Sequence, residues 1–170
     1  MDQISFGSFP RSGNHFLEAL LKQTLPDCCL VYTEHFIFPL EIEKNITVTI
    51  RSPLECVPSW VTLMRDERPN RTEQVLEWYC AYYQKCKELK IFIIPFEQLI
   101  SEPLVCVAAI CDINNIAKPK IDSVEFDFTT DFHSPTKDKS DYKTIIDEMR
   151  LAPSFFPAME LFEALCVPVG

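Results

Sequence analysis

Arg11-Ser12-Gly13-Asn14-His15 is the stretch of this chain best equipped for chemistry. A guanidinium, a hydroxyl and a glycine stand just ahead of an apolar series, Phe16, Leu17, Ala19, Leu20, Leu21 and Leu25. That spacing predicts an amphipathic helix packed on a sheet. Before it, Gln3 to Phe9 reads as a strand, and Pro10 ends it because proline has no N–H to give a ladder. A helix starting near Gly13 or Asn14 aims unpaired N–H groups, and the positive end of its dipole, into the turn. Gly13 lets the backbone take angles other residues avoid and lets a ligand come close. Pro10, Arg11, Ser12, Gly13, Asn14, His15 and Phe16 together make a candidate site for a phosphate- or sulfate-like anion.

A second cationic group sits at a second strand-to-helix corner. Ile46 to Ile50 is a strand ending at Arg51. Ser52 suits the cap, Pro53 the first helical position and Glu55 the positive end of the helix that follows, expected from about Pro53 towards Arg65 with Pro58 inside it. Ser59 lies eight residues beyond Arg51, about two turns along that helix. A guanidinium and a hydroxyl converging from adjacent elements can hold a phosphate, the arginine bidentately. The nucleotide-binding loop G-x-x-x-x-G-K-[ST] is not matched: Gly7 and Gly13 are one residue too far apart, and Asn14-His15 replaces the Lys-Ser/Thr pair that reaches phosphates and Mg²⁺. A Mg²⁺-dependent ATPase or kinase is therefore the third-ranked reading.

The elements needed to position these groups are legible. Cys28 to Thr33 reads as a buried parallel strand, placing Glu34 and His35 at its carboxyl end, where ligands gather in open α/β sheets. Asp66 to Thr72 is a polar loop, and about Glu73 to Leu89 a long helix with an aromatic face of Trp78, Tyr79, Tyr82 and Tyr83, read mainly as core. Lys90 to Phe96 is a fourth strand, Phe96 to Leu99 a turn, and Pro103 to about Ile113 a buried helix. Lys118 to Lys143 is polar and reads as a long loop. Two terminal helices, Asp141 to about Leu151 and Ala158 to about Leu165, are expected on either side of Pro153 and Pro157.

Two of these corners resemble motifs of the sulfotransferase family. Phe9-Pro10-Arg11-Ser12-Gly13-Asn14-His15-Phe16-Leu17 resembles the family's 5′-phosphosulfate loop, which often reads Y-P-K-S-G-T-T-W-L; it departs at Asn14 and His15, where the family usually has hydroxyls. Ile50-Arg51-Ser52-Pro53 through Ser59-Trp60 resembles the 3′-phosphate motif V-R-[ND]-P-x-D-x-x-x-S-[YF], with Glu55 in place of the usual Asp. Thr33-Glu34-His35-Phe36 resembles the K-T-H-[LF] segment that carries the family's catalytic histidine, and Phe96-Glu97-Gln98-Leu99 with Pro103 resembles Y-E-D-L-x-x-x-P, where Glu97 is structural. The resemblance implies a three-layer α/β sandwich of the P-loop NTPase-like sulfotransferase type, with a central, mostly parallel sheet of about four to five strands. It also implies transfer of a sulfuryl group from 3′-phosphoadenosine 5′-phosphosulfate (PAPS) to a hydroxyl or amine, leaving 3′-phosphoadenosine 5′-phosphate and needing no metal.

In that scheme Arg11 and the loop N–H groups stabilise charge on the leaving group, while Arg51 and Ser59 fix the 3′-phosphate. His35 is the expected base, since it follows the second strand and an unperturbed imidazole titrates near neutrality. Glu34 is the alternative, because family members acting on sugars use a Glu near this position; successive strand residues point oppositely, so only one of the two serves. His15 reads as a donor or packing group, and His133 is a third candidate base. The family's basic, glycine-bearing lid has no R-K-G counterpart; Lys137 and Lys139 stand in that region, where they either close on the 3′-phosphate or belong to a solvated loop. The alternative function is a sulfotransferase-fold protein that binds a nucleotide or phosphate without turnover.

Composition sets the outer limits. The length of 170 residues, with 47% apolar and 24% charged content, predicts one soluble domain over 1–170 with a sizeable core. The net charge of −9 disfavours nucleic acid and anionic membranes as partners; the partners that the resemblance implies are the nucleotide and a small-molecule or glycan acceptor. No leader or membrane-spanning run is visible. The eight cysteines show no zinc-type spacing, so they are read as reduced and mostly buried in a cytoplasmic protein, and the sequons at Asn45 and Asn70 as chance matches. The oligomeric state and the acceptor are left open.

Overall fold

The computed structural model describes residues 2–32, 46–63, 71–124 and 141–170. Four strands, β1 (Gln3–Ser8), β2 (Cys29–Tyr32), β3 (Ile46–Ile50) and β4 (Phe92–Pro95), form one sheet in the order β2-β1-β3-β4. Every pairing is parallel: Gln3 lies opposite Cys29, Phe6 opposite Thr47, and Val48 opposite Ile93. The expected α/β class is therefore present, with a wholly parallel sheet of four strands among the described residues.

Among the described residues seven helices accompany the sheet: α1 (Asn14–Thr24), α2 (Pro53–Leu63), α3 (Thr72–Glu88), α4 (Phe96–Ser101), α5 (Pro103–Asn114), α6 (Tyr142–Leu151) and α7 (Phe155–Leu165). Strand alternation sorts them into two layers. Ile4, Phe6 and Ile94 point to the side of α1 and α5, where Leu17, Leu20, Leu21, Val107 and Ile110 pack. Ile46, Val48, Ile50 and Ile93 point the other way, onto Cys56, Val57 and Trp60 of α2 and Val75, Leu76, Tyr79 and Tyr83 of α3. Met149 of α6 and Ala158 of α7 close that second core. No described helix is long and apolar enough to cross a membrane.

Several expectations need correction. Cys28 to Thr33, read as a buried strand, supplies β2, which lies at the edge of the sheet among the described residues, with Cys29 exposed and its other residues half-buried; an apolar run does not say which strands flank it. Phe96 to Leu99 is not a turn but the start of α4, because the chain turns straight from β4 into a helix at Pro95. Pro157 does not separate the last two helices. It sits third in α7, within the first turn, where the missing N–H would have had no intrahelical acceptor. The aromatic face of α3 is core, as expected, with Tyr79, Tyr82 and Tyr83 buried.

The β3 strand carries one unusual feature. Thr47 and Thr49 are buried, and their hydroxyls have no hydrogen-bond partner among the described residues. A buried hydroxyl without a partner costs about 1–3 kcal/mol, and valine keeps the branched shape without it. Thr47→Val is therefore expected to stabilise the fold by roughly 1 kcal/mol, read as a higher urea midpoint at unchanged slope. A lower midpoint would show that the hydroxyl is satisfied.

Candidate functional site

The order β2-β1-β3-β4 sends the chain from β1 to one side and then back to the other. The crevice outside the carboxyl ends of β1 and β3 is thus a topological switch point, the place where open α/β sheets bind ligands. Both cationic corners open there. After β1, the buried Phe9 anchors the turn through edge-on contacts with Trp60 at 5.0 Å and Tyr79 at 5.2 Å. Ser12 N–H donates to the Phe9 carbonyl at 3.2 Å, and the chain passes through left-handed backbone at Arg11 (φ 66°) and Gly13 (φ 105°). An arginine held there is strained by about 1–2 kcal/mol, a cost that collects at functional sites.

Gly13 is required twice over. Its φ suits glycine, and a Cβ built there would lie 2.5 Å from Phe96 Cε2 and closer still to Cδ2. Helix α1 begins at the next residue, has no acidic side chain in its first turn, and receives no side-chain cap from Gly13. The positive end of its dipole therefore faces the turn without a counter-charge of its own. Asn14 is buried and donates its amide to Tyr32 Oη at 2.9 Å, tying the loop to the edge strand, while His15 is exposed.

After β3, Ser52 caps α2 as expected: its Oγ accepts from Leu54 N–H at 3.3 Å, and its carbonyl accepts from Glu55 and Cys56. Two tyrosines of α3 fix the strand end, Tyr83 donating to the Thr49 carbonyl at 2.8 Å and Tyr79 to the Arg51 carbonyl at 3.0 Å. Burial holds both phenols well above their usual titration range, so they stay donors. The Arg51 guanidinium donates from Nε to Glu55 at 2.7 Å and stacks over the Phe96 ring at 4.7 Å.

The two corners then meet. Arg11 Nε donates to Ser59 Oγ at 2.9 Å, across 48 residues of sequence. Glu55 and Ser59 are one turn apart on α2, so one helix face holds Arg51 at one level and Arg11 at the next. Ser12 is fully buried; its Oγ makes no hydrogen bond of good geometry among the described residues, although it stands near enough to the Cys56 thiol to ease its shift. Burial pushes that thiol up to about 12, against the opposing effects of Ser12 and the Arg51 charge.

The structure places Pro10 to Phe16 and Arg51 just beyond the carboxyl ends of β1 and β3, with Ser59 on α2 against Arg11. Glu34, His35, Lys137 and Lys139 lie outside the described residues. Two contacts at this corner were not read from sequence: Glu55, expected at the positive end of α2 and in place of the motif Asp, pairs with Arg51, and Phe96, expected only as the first residue of a turn, carries the Arg51 guanidinium. A cavity of about 330 Å³ lies elsewhere, between α3 and α7, lined by Cys80, Ala81, Gln84, Pro157 and Leu161, and shares no residue with this corner. Among the described residues no group of three His, Cys, Asp or Glu side chains could hold a metal. No protein-family model and no curated protein sequence matches the chain.

The thiols give a pH expectation. All eight cysteines are free, and burial pushes Cys56, Cys86 and Cys106 from the ordinary 9 up to about 12. A group whose pKa rises on folding contributes stability that is complete below its unfolded value and disappears as pH climbs through its folded one. Stability is therefore expected to fall from about pH 9 upward. Urea midpoints measured at pH 8 and pH 10.5 test this, with a shallower decline for Cys86→Ala; equal midpoints would contradict it.

Proposed function

We propose that the chain binds PAPS and transfers its sulfuryl group to a hydroxyl or amine of a small-molecule or glycan acceptor, on a P-loop NTPase-like sulfotransferase fold. The observation that carries the reading is the Arg11–Ser59 hydrogen bond, which joins the two anion-binding corners at the switch point. The donor set suits a doubly anionic nucleotide. It comprises two guanidiniums, a buried hydroxyl in the loop, and a helix N-terminus with no acidic residue in its first turn. PAPS supplies the activated sulfuryl group and a leaving phosphate. Sulfuryl transfer, like phosphoryl transfer, asks the protein mainly to position groups and stabilise charge. Arg11 and the α1 N–H groups would balance charge on the 5′ side, Arg51 and Ser59 would hold the 3′-phosphate, and His35 or Glu34 would take the acceptor's proton. Lys137 and Lys139 would close on the nucleotide.

A second reading, a nucleotide- or phosphate-binding protein without turnover, draws on one observation. Asn14, at a position where the family has a hydroxyl, is committed to Tyr32. Calorimetry with 3′-phosphoadenosine 5′-phosphate, AMP and ATP, without Mg²⁺, tests both. A preference of about tenfold or more for the 3′-phosphorylated nucleotide is expected from one charge-assisted pair. No preference defeats both readings. Release of 3′-phosphoadenosine 5′-phosphate from PAPS with a panel of hydroxyl and amine acceptors, abolished by His35→Ala or by Glu34→Gln, selects the enzyme; binding without release selects the second reading.

A further inference from the structure

The aromatic ring at the end of β4 touches both cationic corners at once. Phe96 faces Gly13 so closely that no Cβ fits there, meets Phe16 of α1 edge-on at 6.2 Å, and carries the Arg51 guanidinium over its face at 4.7 Å. Those contacts come from three different segments: the loop after β1, the first turn of α1, and the end of β3. Arg51 is thereby fixed from two sides, its Nε edge by Glu55 and its flat face by Phe96. The edge formed by the two Nη groups is the one suited to a bidentate phosphate. A long, partly exposed side chain at a strand end would otherwise sample many rotamers, and each contact to a ligand would first have to order it.

We infer that Phe96 is a positioning residue: it sets the distance and orientation between Arg51 and the Gly13 loop, and through them the protein's discrimination in favour of a 3′-phosphate. The inference rests on the nucleotide reading above. It makes Phe96 act through Arg51 and assigns it no contact with the reacting atoms. Leucine keeps the apolar volume but offers no π-face to the guanidinium, whereas tyrosine keeps the face.

The test is a calorimetric cycle with 3′-phosphoadenosine 5′-phosphate and AMP on the wild type, Phe96→Leu, Phe96→Tyr, Arg51→Ala and the Phe96→Leu/Arg51→Ala double variant. Phe96→Leu is expected to reduce the ratio of the two affinities about three- to fivefold, the size of a cation–π contact at a partly exposed site. Phe96→Tyr restores the ratio. In the Arg51→Ala background Phe96→Leu changes the ratio no further, because its effect passes through that guanidinium. A ratio unchanged by Phe96→Leu, or effects of the two substitutions that simply multiply, overturns the inference. Should Phe96→Leu fail to fold by circular dichroism, Phe96→Met answers the same question with a more adaptable side chain. A wild type with no preference for the 3′-phosphate overturns the nucleotide reading itself, which separates the two failures.

Discussion

Arg51→Ala is expected to weaken binding of 3′-phosphoadenosine 5′-phosphate by about 10- to 100-fold, the loss of roughly 1.5–3 kcal/mol from one charge-assisted contact. AMP, which lacks the 3′-phosphate, should bind within about twofold of the wild type. The substitution is clean because the backbone of Arg51, not its side chain, holds the strand end. Tyr79 donates to the Arg51 carbonyl, and that bond survives truncation. The side chain's own partners inside the protein contribute little to stability. Its ion pair with Glu55 is partly exposed, at 31% and 50%, and such pairs are worth about 0–1 kcal/mol. The denaturation midpoint should therefore barely move while selectivity collapses. Equal losses for the two nucleotides would place Arg51 away from the 3′-phosphate.

Gly13→Ala has the largest expected effect on the fold. Two costs combine. The backbone at φ 105° is costly for any residue with a Cβ, by about 1–2 kcal/mol. The new methyl would also drive into the Phe96 ring, and overpacking of this kind costs about 1–3 kcal/mol. A destabilisation of about 2–5 kcal/mol corresponds to a melting temperature lower by roughly 4–20 °C for a chain of this size. The steric part has a signature of its own. Removing the ring relieves the clash, so Gly13→Ala/Phe96→Ala should be less destabilised than the sum of the two single variants. Strict additivity would mean that Phe96 does not press on Gly13 in solution. Anion binding should be lost in Gly13→Ala even at temperatures where it stays folded, since the ring or the loop must shift.

Much of this architecture was readable in the residues because the signals are local. Ile46 to Ile50 is β-branched at every position, Ser52-Pro53 spells a helix start, and both the strand and the capped helix are found where those cues put them. The apolar spacing of Phe16 to Leu25 gave α1, and the chemistry of Arg11 to Gly13 marked the turn before it. Local cues also misled where neighbours decide the outcome. Cys28 to Thr33 is apolar enough for a central strand, yet among the described residues β2 pairs with β1 alone. Phe96 to Leu99 was read as a turn, and only the chain direction after β4 makes it a helix.

What the amino acids determined by themselves is thus the type of each major element, the special backbone at Gly13, and the presence of two cationic groups at strand ends. The tertiary structure decided that those groups share one crevice. Strand order is set by long-range pairing, and the order β2-β1-β3-β4 is what puts β1 beside β3 and sets Arg11 against Ser59. It also decided the role of Phe96, whose ring bridges Gly13 and Arg51, 38 residues apart in sequence. No local pattern encodes such contacts, because propensity and periodicity act over a few residues, whereas a site in a parallel sheet is assembled from the ends of strands that must first find one another.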